Sequence, residues 1–208
     1  MDTDMDILIK ILGVILVIYF LYHMIYTYSE IKYIKSDLDG NVYLIRRGNN
    51  KSDKFLKDSA NTLALINKNI VSLINHLYEN YKNDDDKNYF IKKLKDNYKP
   101  YIISEAEVDP RYTTYTIDKK DMHICLRTRD TNENVYDINI LMYVVLHELA
   151  HLCNYNKKGS AILGHGSEFR VIFKFLVEES IKIGGYKQVD YAIKPQEYCG
   201  IMISTSII

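Results

Sequence analysis

The five residues His147-Glu148-Leu149-Ala150-His151 constrain this chain more than any other stretch. They lie in the apolar, strongly helical run Val144 to Leu152. Residues four apart stand one turn apart on the same face of a helix. Two imidazoles placed in that way can ligate one zinc ion at about 2.0–2.1 Å each. Glu148 projects from the neighbouring position and can reach a metal-bound water without ligating the metal, which is the geometry of a general base. With six His in the chain, such a spacing arises by chance in roughly one sequence of this kind in a hundred.

A zinc site needs a third protein ligand if the fourth position is left to water. The loop Gly159 to Gly166 offers His165, fourteen residues after His151. Gly164 and Gly166 flank it and allow a tight backbone turn. Glu168, just beyond the loop, is the competing ligand. Two blander readings stand beside this one: histidines that only make buried hydrogen bonds, and zinc held without catalysis.

The rest of the chain frames this motif. From Ile7 to Tyr26 the residues are almost all apolar, long enough to cross a bilayer as one helix. The start is acidic (Asp2, Asp4, Asp6) and no small-residue cleavage site follows, so an uncleaved anchor over 1–28 is expected rather than a signal peptide. A buried N-terminal helix is the alternative. Lys32, Lys35, Arg46 and Arg47 follow the span and no basic residue precedes Lys10, which places the body in the cytoplasm. Residues 29–52 read as a linker and 53–208 as the main domain.

Within that domain, Leu63, Ile66, Ile70, Leu73, Ile74 and Leu77 form one helical stripe over about 53–81. A shorter helix follows at about 87–98. Tyr101–Ser104 reads as a strand, and Tyr112–Ile117 with Met122–Arg127 as a hairpin. Asp137 caps a helix over about 138–155. Ser167 caps another that ends at Gly184-Gly185. The tail, 186–208, carries a strand near 200–204. The resulting fold class is α+β. Met122–Arg127 is the strand expected to receive an extended peptide, and His123 on it reads as structural.

Composition excludes some functions. Basic and acidic residues balance at 27 each, so the chain lacks the basic footprint of a nucleic-acid binder. Its three cysteines, Cys125, Cys153 and Cys199, are odd in number and widely spaced. They argue against a disulfide framework and for a reducing compartment, with Cys153 as a core residue.

His147-Glu148-Leu149-Ala150-His151 followed by Gly164-His165-Gly166-Ser167-Glu168-Phe169 resembles the WLM and SprT-like zinc metalloproteases. Tyr198-Cys199-Gly200 is similar to a segment of WLM-like proteins carried by large DNA viruses. The resemblance spans about 100–200. It implies a small zincin-like domain, helices on a short mixed sheet, with His147, His151 and His165 as zinc ligands and Glu148 as catalytic base. It also implies Tyr198 as a donor to the oxyanion. No zinc ribbon or basic tail accompanies these motifs, so the DNA-crosslink repair role of those enzymes is not carried over.

The expectation is then a membrane-anchored, zinc-dependent metallopeptidase acting on protein or peptide substrates. Zinc would polarise the scissile carbonyl, and Glu148 would relay the proton of the bound water. Two alternatives remain open: a non-catalytic, zinc-stabilised binding or virion membrane protein, and a DNA-associated protease.

Overall fold

The computed structural model describes residues 2–48, 51–109 and 111–208. The chain is α+β, with five helices and three small sheets among the described residues. Helix α1 spans Asp2–Glu30. Its segment Ile7–Ile25 is apolar, wholly unburied and long enough to cross a membrane.

Strands β1 (Ile31–Lys35) and β2 (Val42–Arg46) follow as an antiparallel hairpin. They occupy much of the stretch read as a linker, of which Asn49 and Asn50 lie outside the described residues. Alternation explains the difference. Tyr43 and Ile45 point inward and are buried, while Val42 points outward, the period-2 pattern of a half-buried strand. A polar end to the segment masked that pattern.

Helix α2 (Asp53–Tyr81) is capped by Ser52, whose Oγ accepts from the Phe55 amide at 3.2 Å. Its apolar stripe, Leu56 to Leu77, is buried. Helix α3 (Asn88–Asn97) and a short 3₁₀ turn at Pro100–Ile102 lead into β3 (Ile103–Glu105). Strands β4 (Tyr115–Ile117) and β5 (Asp121–Ile124) complete a mixed sheet in the order β3-β5-β4. β5 is therefore central, parallel to β3 and antiparallel to β4. It has no free edge to offer a peptide, contrary to the sequence reading; β4 holds the edge position.

Helix α4 (Ile138–Cys153) begins at Asp137, whose carboxylate accepts from the Asn139 amide at 2.8 Å. It packs against β4 and β5 on one side and against α2, α3 and α5 on the others. Burial on nearly all faces matches its apolar sequence. Helix α5 (Ser167–Lys182) has Gly166 at its N-cap with no side-chain cap bond, so Ser167 is the first helical residue rather than the cap. Strands β6 (Gln196–Tyr198) and β7 (Ile201–Ile203) form a C-terminal hairpin.

Two features tie these parts together. Arg127 is fully buried and donates from Nε and Nη2 to the two oxygens of Glu105, at 2.5 and 2.7 Å. Glu105 also accepts from the Arg46 amide at 2.8 Å, and Arg46 pairs with Glu133 at 2.8 Å. This network clamps β2 to β3 and to the segment after β5. Second, Cys125 and Cys199 are joined in a disulfide across 74 residues. The sequence reading held a disulfide framework unlikely, since spacing carries no sign of which cysteines the fold brings together. The pairing removes the cysteine argument for a reducing compartment. Cys153 is free and buried, as its place in the apolar run suggests.

Candidate metal centre

His147 and His151 project from one face of α4, and His165 returns to them from the loop before α5. The Nε2 atoms lie 3.2 Å apart for His147 and His151, 3.0 Å for His151 and His165, and 3.0 Å for His147 and His165. Donors about 2.05 Å from a tetrahedral zinc sit about 3.3 Å from one another, close to this triangle. Hydrogen bonds alone do not explain it. A neutral imidazole nitrogen is a donor or an acceptor, never both. Three such nitrogens cannot all pair around a triangle, whereas a central cation satisfies every lone pair. Burial, reinforced by the neighbouring imidazoles, depresses His147 to about 3, and burial with His165 and Lys119 depresses His151 to about 4. Both rings are thereby kept neutral, the form that binds metal.

Among the described residues no other His, Cys, Asp or Glu joins this group. Glu168, the competing ligand, is exposed on the first turn of α5. Phe169, one turn after His165, closes the segment on which the family resemblance rested, without a role of its own in that reading. Its ring lies 4.3 Å from the ring of His151, 4.9 Å from that of His147 and 4.8 Å from that of His165, centroid to centroid. It forms an apolar wall that limits the rotamers of all three. The signal was present as an aromatic residue four positions after His165 at a helix start.

Glu148 is 6% exposed, and the Thr116 hydroxyl on β4 donates to its carboxylate at 2.8 Å. Burial pushes its carboxyl up to about 7, and the Thr116 bond opposes this. Tyr198 is fully buried. Its hydroxyl donates to the Cys125 carbonyl at 2.8 Å and meets the Thr114 hydroxyl at 2.5 Å. A carbonyl only accepts, so the one phenolic proton is committed there and none is left for an oxyanion. Tyr198 is a core residue that fastens the C-terminal hairpin. Sequence reasoning passed over Lys119. Its ammonium donates to the carbonyls of His151 and, at 3.3 Å, Asn154, closing the C-terminal end of α4.

A cleft of 840 Å³ opens beside the triad. Its floor is α4, from Tyr143 to His151. Its walls are Thr113 to Lys119, the loop Ile162 to His165 with the start of α5, and the tail Ile201 to Ile207.

Residues 47–189 match the family model described as Phycodnaviridae minor capsid protein P4. The chain belongs to this family. It is 36% identical over 183 residues to an uncharacterised protein of Acanthamoeba polyphaga mimivirus, covering 88% of this chain and 87% of that one. Shorter matches join it to uncharacterised proteins of Invertebrate iridescent virus 6 (33% over 100 residues, 47% of this chain and 51% of the relative) and Invertebrate iridescent virus 3 (39% over 102 residues, 48% and 57%). No solved structure matches the chain.

This family corrects the reading as a WLM or SprT-like metalloprotease. A minor capsid family is structural, and the match covers the whole His-Glu-x-x-His helix and the His165 loop on which that reading rested. The hydrolase activity and the protein or peptide substrate fall with it. So do the roles of base for Glu148 and oxyanion donor for Tyr198. The three histidines of that reading do lie together as a group that could hold a metal ion. The error lay in taking His-Glu-x-x-His to imply turnover.

Proposed function

We propose that the chain is a minor capsid protein of a large DNA virus, held at a membrane by α1, with a zinc ion bound by His147, His151 and His165 as a structural element. The family match along residues 47–189 carries this reading. The three converging imidazoles supply the metal site, and the helix–loop–helix frame around them is zincin-like without being used for hydrolysis. A metal there has clear structural work to do. The loop 154–166 is held by the Tyr155–Ala161 bridge and the Ile162 amide bond to Asn154 at 2.9 Å, while Leu163 is 85% exposed. Coordination through His165 ties this loop to α4, and binding free energy becomes folding free energy.

The test is metal analysis of the purified full chain in detergent, with His165→Ala and Glu148→Gln variants. One zinc per chain is expected, lost or much weakened in His165→Ala and kept in Glu148→Gln. Wild type and Glu148→Gln should leave a model protein such as casein equally intact. Cleavage by wild type that disappears in Glu148→Gln overturns the structural reading. Absence of the protein from purified, intact particles overturns the capsid assignment.

A further inference from the structure

We propose that the fourth coordination position of this metal is filled in the assembled particle by a carboxylate, carried on an extended segment of another virion protein that lies in the cleft along β4. The inference rests on the reading of the triad as a structural zinc site. Structural zinc sites are closed by four protein ligands. This chain brings three, and among the described residues no fourth donor joins them. The missing ligand has to come from outside, through the cleft.

The shape of the cleft selects an extended chain. β4 pairs with β5 on one side only, and its Tyr115 and Thr116, with Thr113 and Thr114 just before it, line the cleft. An unpaired strand edge offers amides and carbonyls that a partner strand satisfies. Across the cleft β7 pairs only with β6 and contributes a second wall. The rim is apolar and open to solvent, with Leu163 85% and Met202 59% exposed. Apolar surface gathered beside a polar pocket marks a docking face more often than a free one.

Charge selects the donor. Three neutral imidazoles leave the dication uncompensated, and Lys119 and Arg170 also line the cleft. Asp118 and Glu148 oppose them; Glu148 is engaged by Thr116 and Lys119 by the carbonyls of His151 and Asn154, so the metal's own charge is the unbalanced one. The balance favours an incoming anion, and a carboxylate oxygen binds zinc at about 2.0–2.2 Å.

The experiment loads the full-length chain in detergent micelles with Co²⁺, whose visible bands report its ligands. The probes are a short peptide of alternating Val and Thr with one central Asp and its Asn counterpart. The Asp peptide should shift the cobalt bands and bind about tenfold or more tighter than the Asn peptide. That difference should vanish when a chelator strips the metal. Met202→Ala, at the exposed rim, should weaken Asp-peptide binding by removing apolar contact with the segment. Equal affinity for the two peptides, affinity that survives chelation, or no binding overturns the latch. If Co²⁺ fails to bind at all, the metal reading falls as well; a normal cobalt spectrum untouched by peptide sinks the latch alone. Recovery of the Asp peptide in cut form overturns both the latch and the non-catalytic reading.

Discussion

Lys119 donates to the carbonyl of His151, so the turn between β4 and β5 is fastened to the end of the helix that carries two of the three imidazoles. The turn accepts a conformational cost to place that ammonium. Asp118 and Lys119 both have positive φ, 49° and 56°, a region where residues with a Cβ are disfavoured. Lys119→Met keeps the stem but removes the donor. The variant should unfold in urea with about 1–3 kcal/mol less stability, because two helix-end carbonyls lose a charged partner. Lys120→Met, at the exposed neighbour, should change stability by less than about 0.5 kcal/mol.

Acid should destabilise the metal-free protein, and Glu148 sets how steeply. Folded, His147 and His151 titrate at about 3 and about 4; unfolded, near 6.5. Between those values the unfolded chain binds more protons, so stability falls as pH drops from about 6.5 toward 4. Glu148 acts in the opposite sense. Its carboxyl is raised to about 7 from 4.5, so between those values the folded chain holds the extra proton and stability falls as pH rises. The two effects oppose each other from about pH 4.5 to 6.5, leaving a net slope of about one proton for the two imidazoles against one carboxyl. In Glu148→Gln the slope should approach two protons. Urea unfolding of the chelator-treated protein at several pH values measures it, and an unchanged slope refutes the assignment.

Reduction should loosen the C-terminal wall of the cleft. The Cys125–Cys199 disulfide closes a long loop, and its loss should cost about 2–5 kcal/mol. A reductant is expected to lower the melting temperature of the wild type to that of Cys199→Ser and to leave Cys199→Ser unaffected. Equal melting of oxidised wild type and Cys199→Ser would show that the bond does not hold the hairpin.

The buried Arg127–Glu105 pair should be costly to break and cheap to replace. Arg127→Met leaves the buried Glu105 carboxylate with only the Arg46 amide and a guanidinium contact at 3.7 Å, which should cost about 3 kcal/mol. Arg127→Met combined with Glu105→Leu should regain most of that loss, since matched apolar groups avoid the desolvation of both ions. The double-mutant cycle in urea reads the coupling directly.

Much of this molecule was legible from local pattern. The stripe from Leu63 to Leu77 marked α2 because helical periodicity is a property of neighbouring residues alone. Asp137 announced α4, and the spacing of His147 and His151 announced that two imidazoles share one of its faces for the same reason. Tyr43 and Ile45 were harder, because a five-residue strand leaves only two inward positions and a polar flank hides them. Lys119 and Thr116 were not legible as site residues. Each acts through a neighbour that lies far along the chain, and nothing in its own surroundings names that neighbour.

By itself the sequence determined that α4 is a buried helix bearing His147, Glu148 and His151, that α1 is apolar enough to cross a membrane, and that His165 stands ready in a glycine-flanked loop. These follow from backbone geometry acting over a few residues. Only the tertiary structure decided that the three Nε2 atoms converge to within 3.2 Å, that Cys125 meets Cys199, that the Tyr198 proton is spent on the Cys125 carbonyl, and that β4 rather than β5 presents the open edge. Those outcomes depend on which surfaces are buried together, and burial is a property of the whole fold.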